Sequence, residues 1–319
     1  MPDKKIRSKT KLKPPSVYKP APGRWAADDG AKRKPAPTGI LAGITVLLIV
    51  FVLVGKFMWR EKEQAPPLSN ERETEIRQEP KEGVSVAGAG FTESLYGIEM
   101  VYVSGGTFMM GCTPEQEGDC YDYEEPARQA ALSDFFIGKY EVTQAQWKAV
   151  MGNNPSRFKG DDLPVENVSW NDAQEFIKRL NTATGKTYRL PMETEWEYAA
   201  RGGNQSRGYK YSGSNNVGEV AWYEGNSGAG THSAGTKNAN ELGIHDMSGN
   251  VWEWVSDLYG DPGSAAQTDT DGRDAGSFRV IRGGGWGSYA RGVRVSNYYN
   301  NGSDNRYNFL GFRLALNSR

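Results

Sequence analysis

Four sets of residues carry enough chemistry to be weighed as catalytic or metal sites. Glu193, Glu195 and Glu197 alternate in PMETEWEYAARGG, and paired carboxylates are common equipment for general acid–base catalysis. On a helix that spacing spreads them around the axis, with Glu193 and Glu197 sharing a face, so a solvated or arginine-paired role is the expectation. Cys112 and Cys120 are the only cysteines, in GCTPEQEGDC. An even pair closing a short loop reads as a disulfide in an oxidising compartment, whereas a two-thiolate metal site would want further ligands, and neither His232 nor His245 is close in sequence. Ser288 has no evident His/Asp partner for a hydrolase triad. The run TDTDGRD sets Asp269, Asp271 and Asp274 around Gly272 like a calcium loop. It lacks the following bidentate Glu and a flanking helix pair, so a solvated acidic loop is expected.

The last forty residues separate into two kinds of position. Val280-Ile281, Val293-Val295 and Phe312-Leu314, with Arg282, Arg294 and Arg313 interleaved, read as half-buried strands with either charged outer faces or buried, paired arginines. Between them lie Gly287, Ser288, Tyr289, Gly292, Asn297, Tyr298, Tyr299, Asn300, Asn301, Gly302, Ser303, Asp304, Asn305, Tyr307, Asn308 and Phe309. This second set has the composition of a paratope, in which Tyr supplies rigid amphipathic area and Ser, Gly and Asn adapt their hydrogen bonds. A polar, turn-rich loop is the other reading, since Asn, Gly, Ser and Asp are turn residues. Four tyrosines and a phenylalanine in the stretch favour contact, because a merely solvated loop has no use for that much aromatic area.

The elements that must position these residues have to come from a chain of 319 residues, enough for one large or two small domains. Nine Trp and 39 Gly, with few long apolar runs, favour a loop-rich α+β domain over a helical bundle. Net charge is −1, but residues 1–38 hold eleven Lys/Arg against three Asp. The remainder is mildly acidic, which argues against nucleic acid as a partner of the folded part. From Gly39 to Gly55 the chain reads GILAGITVLLIVFVLVG without a charge, then Lys56 and Trp59 follow at interfacial positions. Residues 39–59 read as an uncleaved signal anchor; a cleaved signal peptide is the rival, with a polar leader too long and no clear small-x-small site. The basic excess keeps the N-terminus cytoplasmic and sends the C-terminal domain outside the cytoplasm, periplasmic or on the cell surface.

Residues 1–38 therefore read as a disordered basic tail, 60–95 as a charged stalk and 96–319 as the folded ectodomain. In the last, GIEMVYVSGGTFMMG alternates like strands around a Gly-Gly turn, and EEPARQAALSDFFIGKYEVT continues in that manner. Thr143 with Gln146 makes a capping box for a helix to about Met151. Ser169 or Asn171 caps a second helix in which Ala173, Phe176, Ile177 and Leu180 recur at helical spacing before Gly185. A third begins after Pro191 and stops at Gly202-Gly203.

Seven blocks in order, VSGGTFMMG, IGKYEVTQAQW, LPVENVSWNDAQEF, YRLPMETEWEYAARGG, NELGIHDMSGNVWEWVSD, RVIRGGGW and NFLGFRLA, resemble the formylglycine-generating-enzyme-type, sulfatase-modifying domain. The resemblance spans about residues 97–316. It implies a C-type-lectin-like fold, an α+β architecture with a twisted antiparallel core, flanking helices and long irregular loops. Function still has to be argued from the site.

Catalytic members of that family hold copper with two cysteines just after the Arg-Gly-Gly turn, at places occupied here by Ser288 and Val293, which supply no thiolate. A second branch uses a three-histidine iron site, and this chain has two histidines. The resemblance thus implies neither copper nor iron and no enzyme. A third branch comprises variable proteins diversified by retroelements at asparagine-derived codons, and every residue of the second set is reachable from such codons, with ordinary family drift as the alternative. The family's calcium loop matches DMSGNVWEWVSD residue by residue, implying calcium on the carboxylates of Asp246 and Glu253 and the carbonyls of Gly249 and Val251; a metal-free turn is the alternative. The family's other calcium site wants an Asn where Val220 stands. The expected function is a membrane-anchored, non-catalytic protein that binds an external protein or glycan through the C-terminal segment. An enzyme with an unrecognised site and a structural envelope component are the rivals.

Overall fold

The computed structural model describes residues 89–116, 118–259 and 278–318. The basic tail, the apolar stretch 39–59, residues 60–88 of the stalk and the acidic run 268–274 lie outside the described residues. Among those described, no helix is long and apolar enough to cross a membrane.

Two four-stranded sheets and a two-stranded ribbon carry the architecture. The first sheet has the order β1 (Phe91–Glu93), β2 (Ile98–Val103), β5 (Phe135–Gly138), β10 (Ala315–Asn317), all antiparallel, so the last strand lies beside β5 at the edge opposite β1. β1 falls within the segment assigned to the stalk from sequence, so the sheet starts a few residues earlier than composition indicated. The ribbon pairs β3 (Gly106–Met110) with β4 (Arg128–Leu132). β2 and β3 flank the Gly-Gly turn as expected, but they belong to different sheets and do not form a hairpin. The second sheet has the order β8 (Tyr298–Gly302), β7 (Phe278–Arg282), β6 (Trp252–Leu258), β9 (Leu310–Phe312). β6 and β9 run parallel, so this sheet is mixed where an antiparallel core was expected.

The helices sit where local signals place them. α1 (Gln144–Met151) starts at a Thr143/Gln146 capping box and ends at Gly152 in the left-handed region. α2 (Trp170–Thr184) is capped by Ser169, whose side chain accepts from the Asp172 N–H, and it buries Ala173, Phe176, Ile177 and Leu180. α3 (Glu193–Ala200) is almost wholly interior, with Trp196 at its centre. One core joins α1 and α2 to Trp254, Phe312 and Leu314, and another packs Trp196, Val255, Val280 and Tyr298 together.

Val293-Val295 is not a strand: residues Ala290–Val293 form a 3-10 turn and the strand begins later, at Tyr298. The reason is Arg294, whose buried guanidinium turns inward to Glu124, 170 residues away, at 2.9 Å. Arg282 pairs with Glu197 and Arg313 with Glu253 in the same way, all three guanidiniums being fully buried. The buried, paired alternative therefore holds, and each ion pair ties the C-terminal segment to an earlier element.

Candidate functional site

The C-terminal segment leaves β7 through Gly283 and Gly284, both at positive φ. A Cβ on Gly284 would stand 2.6 Å from the Gly292 carbonyl, so this glycine lets the 283–293 loop fold back on itself. Ser288 closes the first turn, donating its N–H to the Gly285 carbonyl at 2.8 Å while its Oγ accepts from the Gly285 N–H at 3.0 Å. Val293 is buried against Tyr211, Val220 and Ala221. The two places where the resemblance locates copper cysteines thus hold a turn-closing hydroxyl and a core methyl pair.

Within the second set the structure separates support from surface. Asn297 and Tyr298 are interior: Asn297 accepts from the Tyr123 hydroxyl at 2.9 Å and donates to the Gly292 carbonyl at 2.8 Å, and Tyr298 donates its hydroxyl to the Tyr123 carbonyl at 2.7 Å. Burial raises the Tyr298 pKa, with Glu193 adding to it, so the phenol stays protonated. These two carry no exposed contact area. Tyr299 is half-buried between Tyr123 and Trp252, its ring centroid 6.3 Å from each. Asn301 Oδ1 accepts from the Gly302 N–H at 3.0 Å and from Asn305 Nδ2 at 2.6 Å, which shapes the 302–305 turn. Asp304 accepts from Asn171 at 2.5 Å, and the Ser303 carbonyl accepts from the Trp170 N–H, fastening that turn to the start of α2. Tyr307 and Phe309 stack at 5.0 Å, and the Asn308 carbonyl takes the Trp286 indole N–H at 2.9 Å. Gly287, Ser288, Tyr289, Gly292, Asn300, Asn301, Ser303, Asp304, Asn305, Tyr307, Asn308 and Phe309 keep partial or full exposure, Tyr289 the most among the aromatics.

One contributor was missed from sequence. Cys112 and Cys120 are disulfide-bonded, as expected, and the loop they close lies against the C-terminal segment. Arg291 donates to the Asp119 carbonyl at 2.6 Å and to the Cys120 carbonyl, and its guanidinium lies 3.8 Å from the centroid of the Tyr121 ring. Tyr121 stacks on Tyr123 at 5.1 Å, and Tyr123 meets Tyr298 and Tyr299 edge-on. An aromatic row therefore runs from Tyr121 through Tyr123 and Tyr299 to Trp252. The local signal was the pattern CYDYEEP immediately after the second cysteine.

The remaining candidates resolve into structural roles. Glu195 is gripped by Arg189 through two contacts of 2.6 Å. Glu197 accepts from Arg201, Arg282 and the Gly111 N–H, and those cations hold its pKa below the ordinary range against burial. Glu193 is pushed up to about 7 by burial, which the facing Arg282 only partly offsets. His232 lies on Trp222, centroids 3.7 Å apart, with Nε2 at 2.8 Å from the Ser227 carbonyl, and His245 Nδ1 is 2.9 Å from the Lys237 carbonyl. Both imidazoles hold loops in place.

Around the expected calcium loop, Glu141, Asp246 and Glu253 are buried together with a single guanidinium, Arg313. Arg313 donates to both oxygens of Glu253, at 2.7 and 2.6 Å, and Trp196 adds a third donor at 2.7 Å. Asp246 accepts from the Gly235 N–H at 2.7 Å, while its Oδ1 is buried with no hydrogen-bond partner. Three carboxylates against one guanidinium, with one orphaned oxygen, leave the Asp246 corner short of positive charge; to hold an ion there Glu253 would have to share its oxygens with Arg313, and among the described residues the three acids do not group as metal ligands.

Comparison with known proteins agrees with this architecture. The family described as the sulfatase-modifying factor enzyme 1-like domain matches residues 91–318. The Treponema denticola variable protein 1 structure superposes with a TM-score of 0.65 at 31% identity, covering 72% of this chain and 98% of that one. A chaperone protein named LppX from Paenibacillus barcinonensis is 36% identical over 62% of this chain and 82% of its own length. The formylglycine-generating enzyme of Bos taurus is 29% identical over 68% of this chain and 74% of its own. The fold is thus the C-type-lectin-like fold, and the relatives include both an enzyme and a variable protein.

Proposed function

The chain belongs to the sulfatase-modifying factor enzyme 1-like family, and from that premise we propose that it is a non-catalytic member that binds an external macromolecule, protein or glycan, through its C-terminal surface. The observation that carries this reading is the sorting of the second set. Its backbone and interior members hold the scaffold, while Tyr289, Tyr299, Tyr307 and Phe309 present aromatic area beside amide groups. Such surfaces draw most of their affinity from a few aromatic anchors, each about 2 kcal/mol or more when buried in a complex.

The non-catalytic half of the reading is supported by Ser288 and Val293, which lack the ligand chemistry that copper would need, and by two histidines engaged in loops. Calcium is the proposed structural ion, held by Asp246 and Glu253 with the carbonyls of Gly249 and Val251; its chemistry there is charge balance and loop fixing. The proposed placement is a single-pass membrane protein anchored through residues 39–59, with its C-terminal domain outside the cytoplasm. Diversification of the exposed positions by a retroelement is a further part of the proposal, supported by the likeness to variable protein 1. A chaperone-like envelope role is the second reading, favoured by the identity to LppX, and it makes no special demand on the exposed aromatics.

Simultaneous replacement of Tyr289, Tyr299, Tyr307 and Phe309 by Ala tests the reading, with the fold of the variant measured alongside because Tyr299 and Phe309 also pack against one core. Binding to the protein's partner is lost if the surface is the recognition element, and unchanged binding by a folded variant refutes it. Resequencing the locus from many cells of one strain tests diversification separately: changes should fall on the exposed set and spare Arg282, Gly283, Gly284, Trp286, Arg294, Gly311, Phe312 and Arg313.

A further inference from the structure

Among the described residues β8 ends its sheet, pairing with β7 alone. The direction of its backbone groups follows from its neighbour. The Phe278 carbonyl accepts from the Tyr259 N–H at 3.0 Å, so Phe278, Val280 and Arg282 turn their backbone groups toward β6, and Arg279 and Ile281 turn theirs toward β8. The register places Asn301 opposite Arg279 and Tyr299 opposite Ile281. Tyr299 and Asn301 therefore bond to β7, while Tyr298, Asn300 and Gly302 direct their N–H and C=O groups to the free side. The Gly302 N–H agrees with this assignment, since its acceptor is the Asn301 side chain rather than the ladder.

At the far end both Gly302 groups are closed, the N–H by Asn301 Oδ1 and the carbonyl by the Asn305 N–H at 3.0 Å. Tyr298 lies against Tyr123 at the near end. Between them Asn300 is half-exposed, and its backbone N–H and C=O have no protein partner among the described residues. Natural sheet edges are usually blunted by a charge, a proline or a bulge. β8 reads YYNNG, has none of these, and pairs in unbroken register. The adjacent cations are already engaged: Arg279 donates to the Ser256 carbonyl, Arg282 pairs with Glu197 and Arg306 with Asp172.

We propose that the free edge of β8, centred on Asn300, docks an extended, uncharged segment of a partner polypeptide by strand addition. This rests on the reading of the C-terminal surface as a binding surface and assigns it a polypeptide ligand. An outward N–H and C=O on one residue match the donor–acceptor pair that an antiparallel strand presents, and a glycan has no such repeat. The Tyr123 end and the Gly302 turn limit the added strand to a few residues, with Tyr299 and Asn301 on one face of the sheet and Asn300 on the other beside its side chains.

A random linear peptide library displayed on phage and selected on the purified full-length chain supplies the probe. Enriched peptides should lose affinity by about fivefold to tenfold when the backbone nitrogen opposite Asn300 is N-methylated and be indifferent at the nitrogen on either side of it, the period-two pattern expected of a strand held through one outward pair. Asn300→Pro removes the outward N–H and leaves the β7 ladder intact, so it should weaken the same peptides while the variant melts near the wild-type temperature. The N-methyl scan does not depend on that variant folding. No enriched peptide, or peptides without the period-two pattern, overturns strand addition. Peptides that lack the pattern yet fail on the four-fold aromatic-to-Ala variant overturn it while leaving the surface reading in place.

Discussion

Arg291 lies over the ring of Tyr121, 3.8 Å from its centroid, and donates to the carbonyls of Asp119 and Cys120 on the same loop. A C-terminal residue thereby holds the disulfide-closed loop against the exposed aromatic row, although 170 residues of chain separate Arg291 from Tyr121. Removing either side of this contact should loosen the other. Arg291→Ala should cost about 1 kcal/mol in chemical denaturation and speed amide exchange in residues 112–123. Replacing Cys112 and Cys120 together by Ser should cost more, about 2–3 kcal/mol, because the unfolded chain regains its loop entropy, with faster exchange in residues 287–293. Exchange confined to the mutated side would show that the two segments are independent.

Arg294→Ala should be among the most damaging single changes, because it leaves Glu124 buried and uncompensated beside Ser296 and Gln116. A loss of about 3–5 kcal/mol is expected in denaturant unfolding. A variant as stable as the parent would mean that Glu124 finds water or a proton without difficulty.

Glu166 gives the domain a pH dependence. It is buried, its Oε1 accepts from the Phe158 N–H at 2.8 Å, and its Oε2 has no partner. Burial pushes it from the ordinary 4.5 up to about 7, against the backbone bonds from Phe158 and Arg157 and the charges of Lys159 and Arg157. A raised carboxylate pKa means that the folded state holds the proton more tightly than the unfolded state. Its stabilising contribution is complete below 4.5 and is lost as pH rises through about 7. Glu166→Gln should remove this dependence and gain up to about 3 kcal/mol relative to wild type at pH 8. Parallel stability curves for the two proteins between pH 5 and 8 would contradict it.

Calcium should raise the melting temperature of the chelator-treated chain. A concentration a hundredfold above the dissociation constant corresponds to about 2.7 kcal/mol. Asp246→Asn keeps the shape of the site, removes the orphaned carboxylate charge and should abolish the shift. A shift that persists in this variant would place the ion elsewhere.

The parts legible in sequence were those decided locally. The Thr143 cap and the apolar stripe of α2 are fixed within a few residues and were found, while the second cap was narrowed to Ser169 or Asn171, of which the structure has Ser169. The interleaved arginines could be narrowed only to outer faces or buried pairs, because their carboxylates lie 85, 170 and 60 residues away, on Glu197, Glu124 and Glu253. Which of Tyr298 and Tyr299 turns inward depends on register against β7, and register is a property of two strands. Tyr121 and Tyr123 were overlooked for the same reason: their place in the surface exists only once Arg291 folds back on the disulfide loop.

Recognition through the C-terminal surface can be read out by photo-crosslinking in living cells. A photoreactive phenylalanine analogue would replace Tyr289, which is 74% exposed, with Leu95, 64% exposed in the β1–β2 turn, as a control of similar accessibility. A discrete adduct is expected from position 289, absent at position 95 and lost when Tyr299, Tyr307 and Phe309 are changed to Ala. Equal adducts from both positions, or none from position 289, would contradict it.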